Sequence, residues 1–482
     1  MGNPGRPYPI IRNFANRYLG SWRVRCKRGV DDSNFLHAQR FNIKFLKRPP
    51  TTREWARLQK YARKMEILSI RAPLPVQVFS VLQFRTSGKS LLPNLEYLSL
   101  RGKAIAAETI TFIPLFLSPR VVEVEFHFPT LGIPEAVVAS MITSIPITCP
   151  SLERIVFWGL PRDPMIAIAI SEIFTSNRAL RSFDVNSPLT EEARAVLYEL
   201  PNLQNLRTVI EGATSLPRMV LPNLTEMDIE FDDHRGLLQG FCGASLGMLN
   251  SLTFRSESES IGGFFEAFGR VALTTSIPTT LSRFALHTSR PWRPDYRPLL
   301  SFTQLTVLTI EFSCTPSCSS TVDDDTVADL ARAMPKLKSL HLGKKPCRTP
   351  AGVTVKGLSA IAYYCSRLIY LRIHFRVASL DPPEIPFASA SGERREDCAL
   401  IYLDVGCIQI SEESMLMVTS TLLRIFPSLQ GILHSDEKWD KVAAVLRDSR
   451  SLANGSSKEF PACCTSTVFM IALSGPGARL IE

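Results

Sequence analysis

The chain has 482 residues, beyond the roughly 100–200 of one compact domain, so it forms either several domains or one extended architecture. With 45% hydrophobic and 21% charged residues its usage is that of ordinary globular proteins, which excludes wholesale disorder and allows a large buried core. The net charge of +10 is concentrated at one end: residues 1–66 hold sixteen Lys and Arg against Asp31, Asp32, Glu54 and Glu66, a local +12, whereas the other 416 residues (39 basic, 41 acidic) sum to −2.

The chain opens MGNPGRPYPIIRNFANRYLG, which lacks the continuous apolar core of a secretory signal, and no apolar run reaches the roughly 18 residues needed to cross a bilayer. An intracellular protein, cytoplasmic or nuclear, with no membrane partner is expected. Residues 1–48 form a basic N-terminal segment, and the basic stretch from Arg6 to Lys64 has the charge to bind nucleic acid, an acidic protein or a membrane surface. No nucleic-acid module pattern accompanies it, so a solvated or disordered face is the favoured reading and nucleic-acid association the alternative. Eleven cysteines, odd in number and scattered, fit reduced thiols packed as small hydrophobes rather than a disulfide framework.

From residue 49 onward one phrase recurs. LPNLEYLSL (92–100) returns as LPNLTEMDI (221–229), MPKLKSLHL (334–342) and CSRLIYLRI (365–373). The pattern is apolar, two free residues, apolar, one free residue, apolar. It starts at Met65, Leu95, Val121, Leu152, Leu180, Leu224, Leu249, Leu281, Leu305, Leu337, Leu368 and Leu400, with imperfect copies at Leu203 and Leu429, where Thr208 and His434 take the third apolar place. The average interval is 28 residues, inside the 20–29 range of leucine-rich repeats. The last two apolar residues of each phrase alternate as in a strand, and the first comes from the turn leading in.

Helix-like stretches lie between copies, at 164–177, 190–200, 323–334 and 411–426. Start signals precede them: Thr190 before Glu191 and Glu192, the acids Asp323 to Asp325, and Ser411 with Glu412 and Glu413. A strand followed by a returning helix places the next strand parallel to the first. Repetition of that unit predicts an α/β leucine-rich-repeat solenoid over residues 49–452, with a curved parallel sheet on the concave side, helices on the convex side, and a loose tail at 453–482.

The repeat openings CPSLERIVFWGL (149–160) and CSRLIYLRI (365–373), together with PPTTREWARLQKYARKMEILSI (49–70), resemble the fungal F-box proteins with leucine-rich repeats, which recruit substrates to cullin-type ubiquitin ligases. The resemblance covers roughly residues 45–435 and implies that 49–70 holds the first helix and first repeat strand. It further implies a protein substrate on the concave face. The F-box that grips the ligase's Skp adaptor in that family has no matching Leu-Pro opening in residues 1–44, so adaptor binding is expected only if an F-box is present.

Motifs that would carry chemistry are weak. GASLG (243–247) matches a hydrolase nucleophile elbow with Ser245 as nucleophile, but an elbow follows a strand directly and opens a helix, and here the strand comes afterwards. Cys314 with Cys318, and Cys463 with Cys464, lack the second close ligand pair of a structural zinc site. No glycine-rich phosphate loop occurs. Neither enzymatic activity nor any metal or cofactor is expected.

The informative positions are the side chains that alternate with the buried ones and must point to the concave face. They place an acidic band at Asp228 and Glu230 beside a basic one at Arg255, Arg283 and His287. A second, mixed zone gathers His341, Tyr370, Arg372, His374 and Tyr402. Tyr and Arg are enriched at binding hot spots, so these ten residues are the candidate protein-binding surface.

Overall fold

The computed structural model describes residues 22–26 and most of residues 51–454; residues 1–21, 27–50 and 455–482, and the connecting segments 72–75, 87–88, 103–104, 130–131, 213–217, 259–260, 262, 274, 276, 290–294, 313–321, 344–351, 377–397, 407 and 435, lie outside the description. Fourteen parallel strands run in chain order along one sheet. They are β2 (Met65–Ile70), β3 (Tyr97–Arg101), β4 (Glu123–His127), β5 (Arg154–Trp158), β6 (Ser182–Pro188), β7 (Asn205–Ile210), β8 (Glu226–Phe231), β9 (Ser251–Ser256), β10 (Arg283–Thr288), β11 (Val307–Phe312), β12 (Ser339–Leu342), β13 (Tyr370–Ile373), β14 (Tyr402–Gly406) and β15 (Gly431–His434). A further strand, β1 (Trp22–Cys26), pairs antiparallel with β2 on the outer edge. It falls inside the basic segment that the sequence reading set apart as residues 1–48.

Each repeat phrase delivers one of these parallel strands. The leading residue of every copy is buried, from Met65 through Leu95, Leu152 and Leu224 to Leu429. The second apolar residues form an unbroken ladder in register, beginning Leu68, Leu98, Val124, Ile155, Phe183, Leu206 and Met227. It continues through Leu252, Phe284, Leu308, Leu340, Leu371 and Leu403 to Ile432. All lie in one continuous hydrophobic core, so a side chain in one repeat is covered by those above and below it.

Helices close the other side of that core. Thr52–Ala62 precedes β2, and Glu135–Thr148, Pro164–Ser176, Asp324–Ala333, Val355–Tyr364 and Met415–Ile425 return the chain between strands. Strands stack about 4.8 Å apart, whereas packed helices need about 8–10 Å. The array therefore curves with the strands on the inside.

The helix boundaries follow their caps. Asp163, Thr190, Asp233, Asp323 and Thr354 each accept a backbone N–H of the first turn; at Thr190 and Asp323 this is the interaction that the sequence signals predict. The stretch opening at Ser411 differs. Ser411 to Ser414 form a turn held by the two hydroxyls, 2.6 Å apart, and the helix begins at Met415.

A common joint connects helix to strand. Cys149, Asn177, Met334, Cys365 and Phe426, each three residues before the leading apolar residue, terminate their helices with φ between −109° and −125° and ψ between 61° and 75°. This turns the side chain into the core. At two of the joints a donor meets a carbonyl of the preceding repeat: Asn177 Nδ2 reaches the Cys149 carbonyl at 3.0 Å, and the Cys365 thiol the Ala331 carbonyl at 3.6 Å. Cys149, Cys365 and Cys398 are free and buried, and burial raises the pKa of all three thiols.

Candidate functional site

The residues that alternate with the ladder face away from the helices. The register aligns them in a central row that reads Ser69, Ser99, Glu125, Val156, Asp184, Arg207, Asp228, Thr253, Ala285, Thr309, His341, Arg372, Asp404. Two charged clusters occupy this row, with short side chains between them.

The first cluster spans β3 to β9. Glu125 accepts hydrogen bonds from Tyr97 at 2.6 Å and from Arg101, and its carboxylate lies 2.8 Å from His127. Burial works to raise its pKa, but the bonds from His127 and Tyr97 and the charge of Arg101 outweigh that and bring it down to about 2. His127 stacks on Trp158, with centroids 6.0 Å apart and planes within 10°. Arg207 reaches back from β7 to place its guanidinium 4.2 Å from the same ring. It sits between Asp184 at 3.8 Å and Asp228 at 3.6 Å. Burial raises the pKa of Asp184, and Arg207 restrains that rise. Asp228 also accepts two hydrogen bonds from Arg255, at 3.0 and 3.1 Å, the bidentate geometry that a planar guanidinium favours.

The second cluster centres on Glu311. His287 Nδ1 lies 2.7 Å from its carboxylate, His341 3.4 Å and Arg372 3.6 Å. Burial pushes against ionisation of Glu311, yet the His287 bond and the neighbouring cationic groups bring its pKa to about 2. Arg372 lies 3.6 Å from Asp404, which accepts the Tyr370 hydroxyl at 3.1 Å and the Gly406 N–H at 2.9 Å. Burial, then the Arg372 charge, lowers the pKa of His341 to about 4, so this imidazole is neutral at physiological pH. His374 is lowered by the same two causes. The Nε2 atoms of His341 and His374 and the Nε of Arg372 are buried and make no hydrogen bond among the described residues.

Between the clusters, Thr253, Ala285 and Thr309 occupy the central row on three consecutive strands. Arg255, His287 and Glu311 stand in register along one side, Ser251, Arg283 and Val307 along the other. Three strands at about 4.8 Å make this a shelf roughly 10 Å wide, floored by short side chains and bordered by Arg255, His287 and Glu311 on one side and by Ser251, Arg283 and Val307 on the other.

The sequence-selected residues therefore distribute as follows. Asp228 and Arg255 meet; they are one ion pair rather than parts of separate acidic and basic bands. Glu230 lies in the next row, 3.7 Å from Arg162. His287 belongs with Glu311 in the second cluster, and Arg283 sits on the opposite side of the shelf. His341, Tyr370, Arg372 and His374 come together. Tyr402 pairs in register with Tyr370, and its ring lies over Gly431, where a Cβ would meet it at 2.9 Å. Strand phase marks the acids that organise the clusters, Glu125, Glu311 and Asp404, as facing outward, but not as the centres of clusters. Arg207 lies in an imperfect copy whose third apolar place is Thr208, which hides its phase.

Ser245 lies in the turn before β9, in a parallel bridge with Val220, and no helix follows it. Cys314, Cys318, Cys463 and Cys464 lie outside the described residues. No helix among the described residues is long and apolar enough to cross a membrane.

A strand, a turn with a buried leading residue and a returning connection, repeated along one open parallel sheet, define an α/β leucine-rich-repeat solenoid. No family model matches the chain, and no curated protein matches it. Among solved structures, the chain is similar to that of the Rad7 and Elc1 complex in yeast, at 14% identity, covering 75% of this chain and 89% of that one with a TM-score of 0.41. It is also similar to the leucine-rich repeat-containing protein LegL7 from Legionella pneumophila, at 12% identity, covering 70% and 94% with a TM-score of 0.34.

Proposed function

We propose that the chain is a protein-binding repeat scaffold that takes a protein substrate on the open face of its sheet and performs no chemistry of its own. The observation that carries this reading is the shelf at Thr253, Ala285 and Thr309, flanked by Arg255 and His287 and by the Arg372 cluster. It gives a partner side chain room to descend to the sheet, beside arginines and histidines that offer directional hydrogen bonds. The acids beside it, Asp228 and Glu311, are already paired with Arg255 and with His287 and Arg372, so contact there desolvates ion pairs rather than isolated carboxylates. In the sharper form, supported by the resemblance of the repeat openings to those of the F-box family, the bound protein is a ubiquitination substrate.

Photocrosslinking tests the scaffold. A photoreactive residue at Thr309 is expected to capture a discrete partner protein in the source cells, whereas one at Ser140, exposed on a helix of the opposite face, captures none. Equal labelling from both positions would sink the assignment of the face. Co-purification with the Skp adaptor, using a chain whose start has been verified from its transcript, tests the ligase role separately, and failure to recover the adaptor removes that role while leaving the scaffold standing.

A further inference from the structure

The open face leaves unused the feature that dominates the charge of the chain. The helix Thr52–Ala62 carries Arg53, Arg57 and Lys60 at positions i, i+4 and i+7, which fall on one side of a helix, and Arg63 and Lys64 follow in the turn. All five are exposed, and none forms an ion pair among the described residues. The acid of the helix, Glu54, is turned to its own N-terminus, where its carboxylate accepts the Thr51 N–H at 2.8 Å in a capping box.

We propose that this stripe binds the phosphate backbone of a nucleic acid, independently of the protein-binding face. Three observations select that partner. The opposite side of the helix is committed: Ala62 is buried, and Trp55 and Leu58 pack against the hydrophobic core. An amphipathic helix whose apolar side is already engaged has nothing to insert among acyl chains, which disfavours a membrane surface. The stripe itself holds no aromatic or aliphatic anchor, whereas protein interfaces place such anchors at their centre and exclude lysine from it. Cations alone suffice for phosphates, because each contact releases condensed counterions. From Arg53 to Lys60 the axial rise is about 10.5 Å, close to three steps of one duplex strand at about 3.4 Å each. Residues 1–48, which precede the helix in the sequence, hold eleven further basic residues.

Fluorescence anisotropy of the full chain with a short mixed-sequence DNA duplex, titrated from about 50 to 200 mM salt, tests the site. The triple variant Arg53→Gln, Arg57→Gln, Lys60→Gln should bind at least about tenfold more weakly, with a slope of log affinity against log salt reduced by about 2.7, near 0.9 for each contact removed. Arg53→Lys with Arg57→Lys keeps the charge and should keep the slope. An unaltered slope in a glutamine variant that melts like the parent would overturn the proposal by assigning the contacts to other residues. So would failure of the parent chain to bind the duplex, or its retention on phosphatidylserine vesicles in preference to the duplex.

Discussion

At the scale of single residues, the open face is held by groups whose protonation is tied to folding. The groups facing His341 are Arg372, Glu311 and Asp404, and burial with Arg372 depresses its pKa to about 4, against about 6.5 for an imidazole in the unfolded chain. Between those values the unfolded chain takes up a proton that the folded chain refuses. Stability therefore falls as pH drops through that window, by up to about 2 kcal/mol at pH 5; His374 contributes with the same sign. Glu311 and Glu125, brought to about 2, contribute stability that is present above the ordinary carboxylate range near 4.5 and lost as pH falls toward 2. Thermal melts from pH 7 to 5 should show the first loss, and His341→Gln should flatten it. An unchanged slope in that variant would show that the proton is taken up elsewhere. Arg372→Met leaves Glu311 and Asp404 without their shared cation, and chemical denaturation should register a loss on the order of 3 kcal/mol.

At the scale of elements, the strand-to-turn transition after β5 depends on one glycine. Gly159 has φ +74°, and a Cβ there would run into the Phe128 carbonyl of the adjoining repeat. The approach is close because the Phe128 N–H donates to the Trp158 carbonyl at 2.7 Å, carrying the ladder one residue past the end of β4. Gly159→Ala meets both the left-handed backbone and the clash, and should cost on the order of 2 kcal/mol or more by equilibrium denaturation; a neutral result would mean that the turn relaxes freely. Such joints explain what was legible in the sequence. The strands could be read because every copy repeats a period-two apolar pattern leading from a buried turn residue, and helix 324–333 could be read because an N-cap and an apolar stripe coincide. The clusters were only half legible. Strand phase shows that Glu311 and Arg372 face outward, but not that a carboxylate will draw His287, His341 and Arg372 together from three different strands, because that depends on side-chain reach across the ladder. Arg207 is the clearest case, since it passes over Asp184 to reach Trp158 two strands away, a contact that no local spacing encodes.

At the scale of the whole molecule, the architecture is one-dimensional: each repeat buries its apolar residues against its two neighbours, and stability is close to a sum of repeat and interface contributions. The charges follow the same axis, with the acids of the open face held in ion pairs along the array and, at its first helix, a cationic stripe that forms no ion pair among the described residues, so two partners of different chemistry could be held without competing. The mechanical consequence is that damage should stay local. Leu308 is fully buried in the ladder between Phe284 and Leu340, and Leu308→Ala removes that packing at a cost of about 2–5 kcal/mol. In a two-state globular domain such a loss lowers the protection of every slowly exchanging amide alike. Here the loss should concentrate in β10, β11 and β12 and in the helix Asp324–Ala333, while β3 and β4, seven or more strands away, retain the protection of the parent chain. Amide hydrogen exchange of the variant decides the matter, since a uniform loss across all strands would show a single cooperative unit in place of nearest-neighbour coupling.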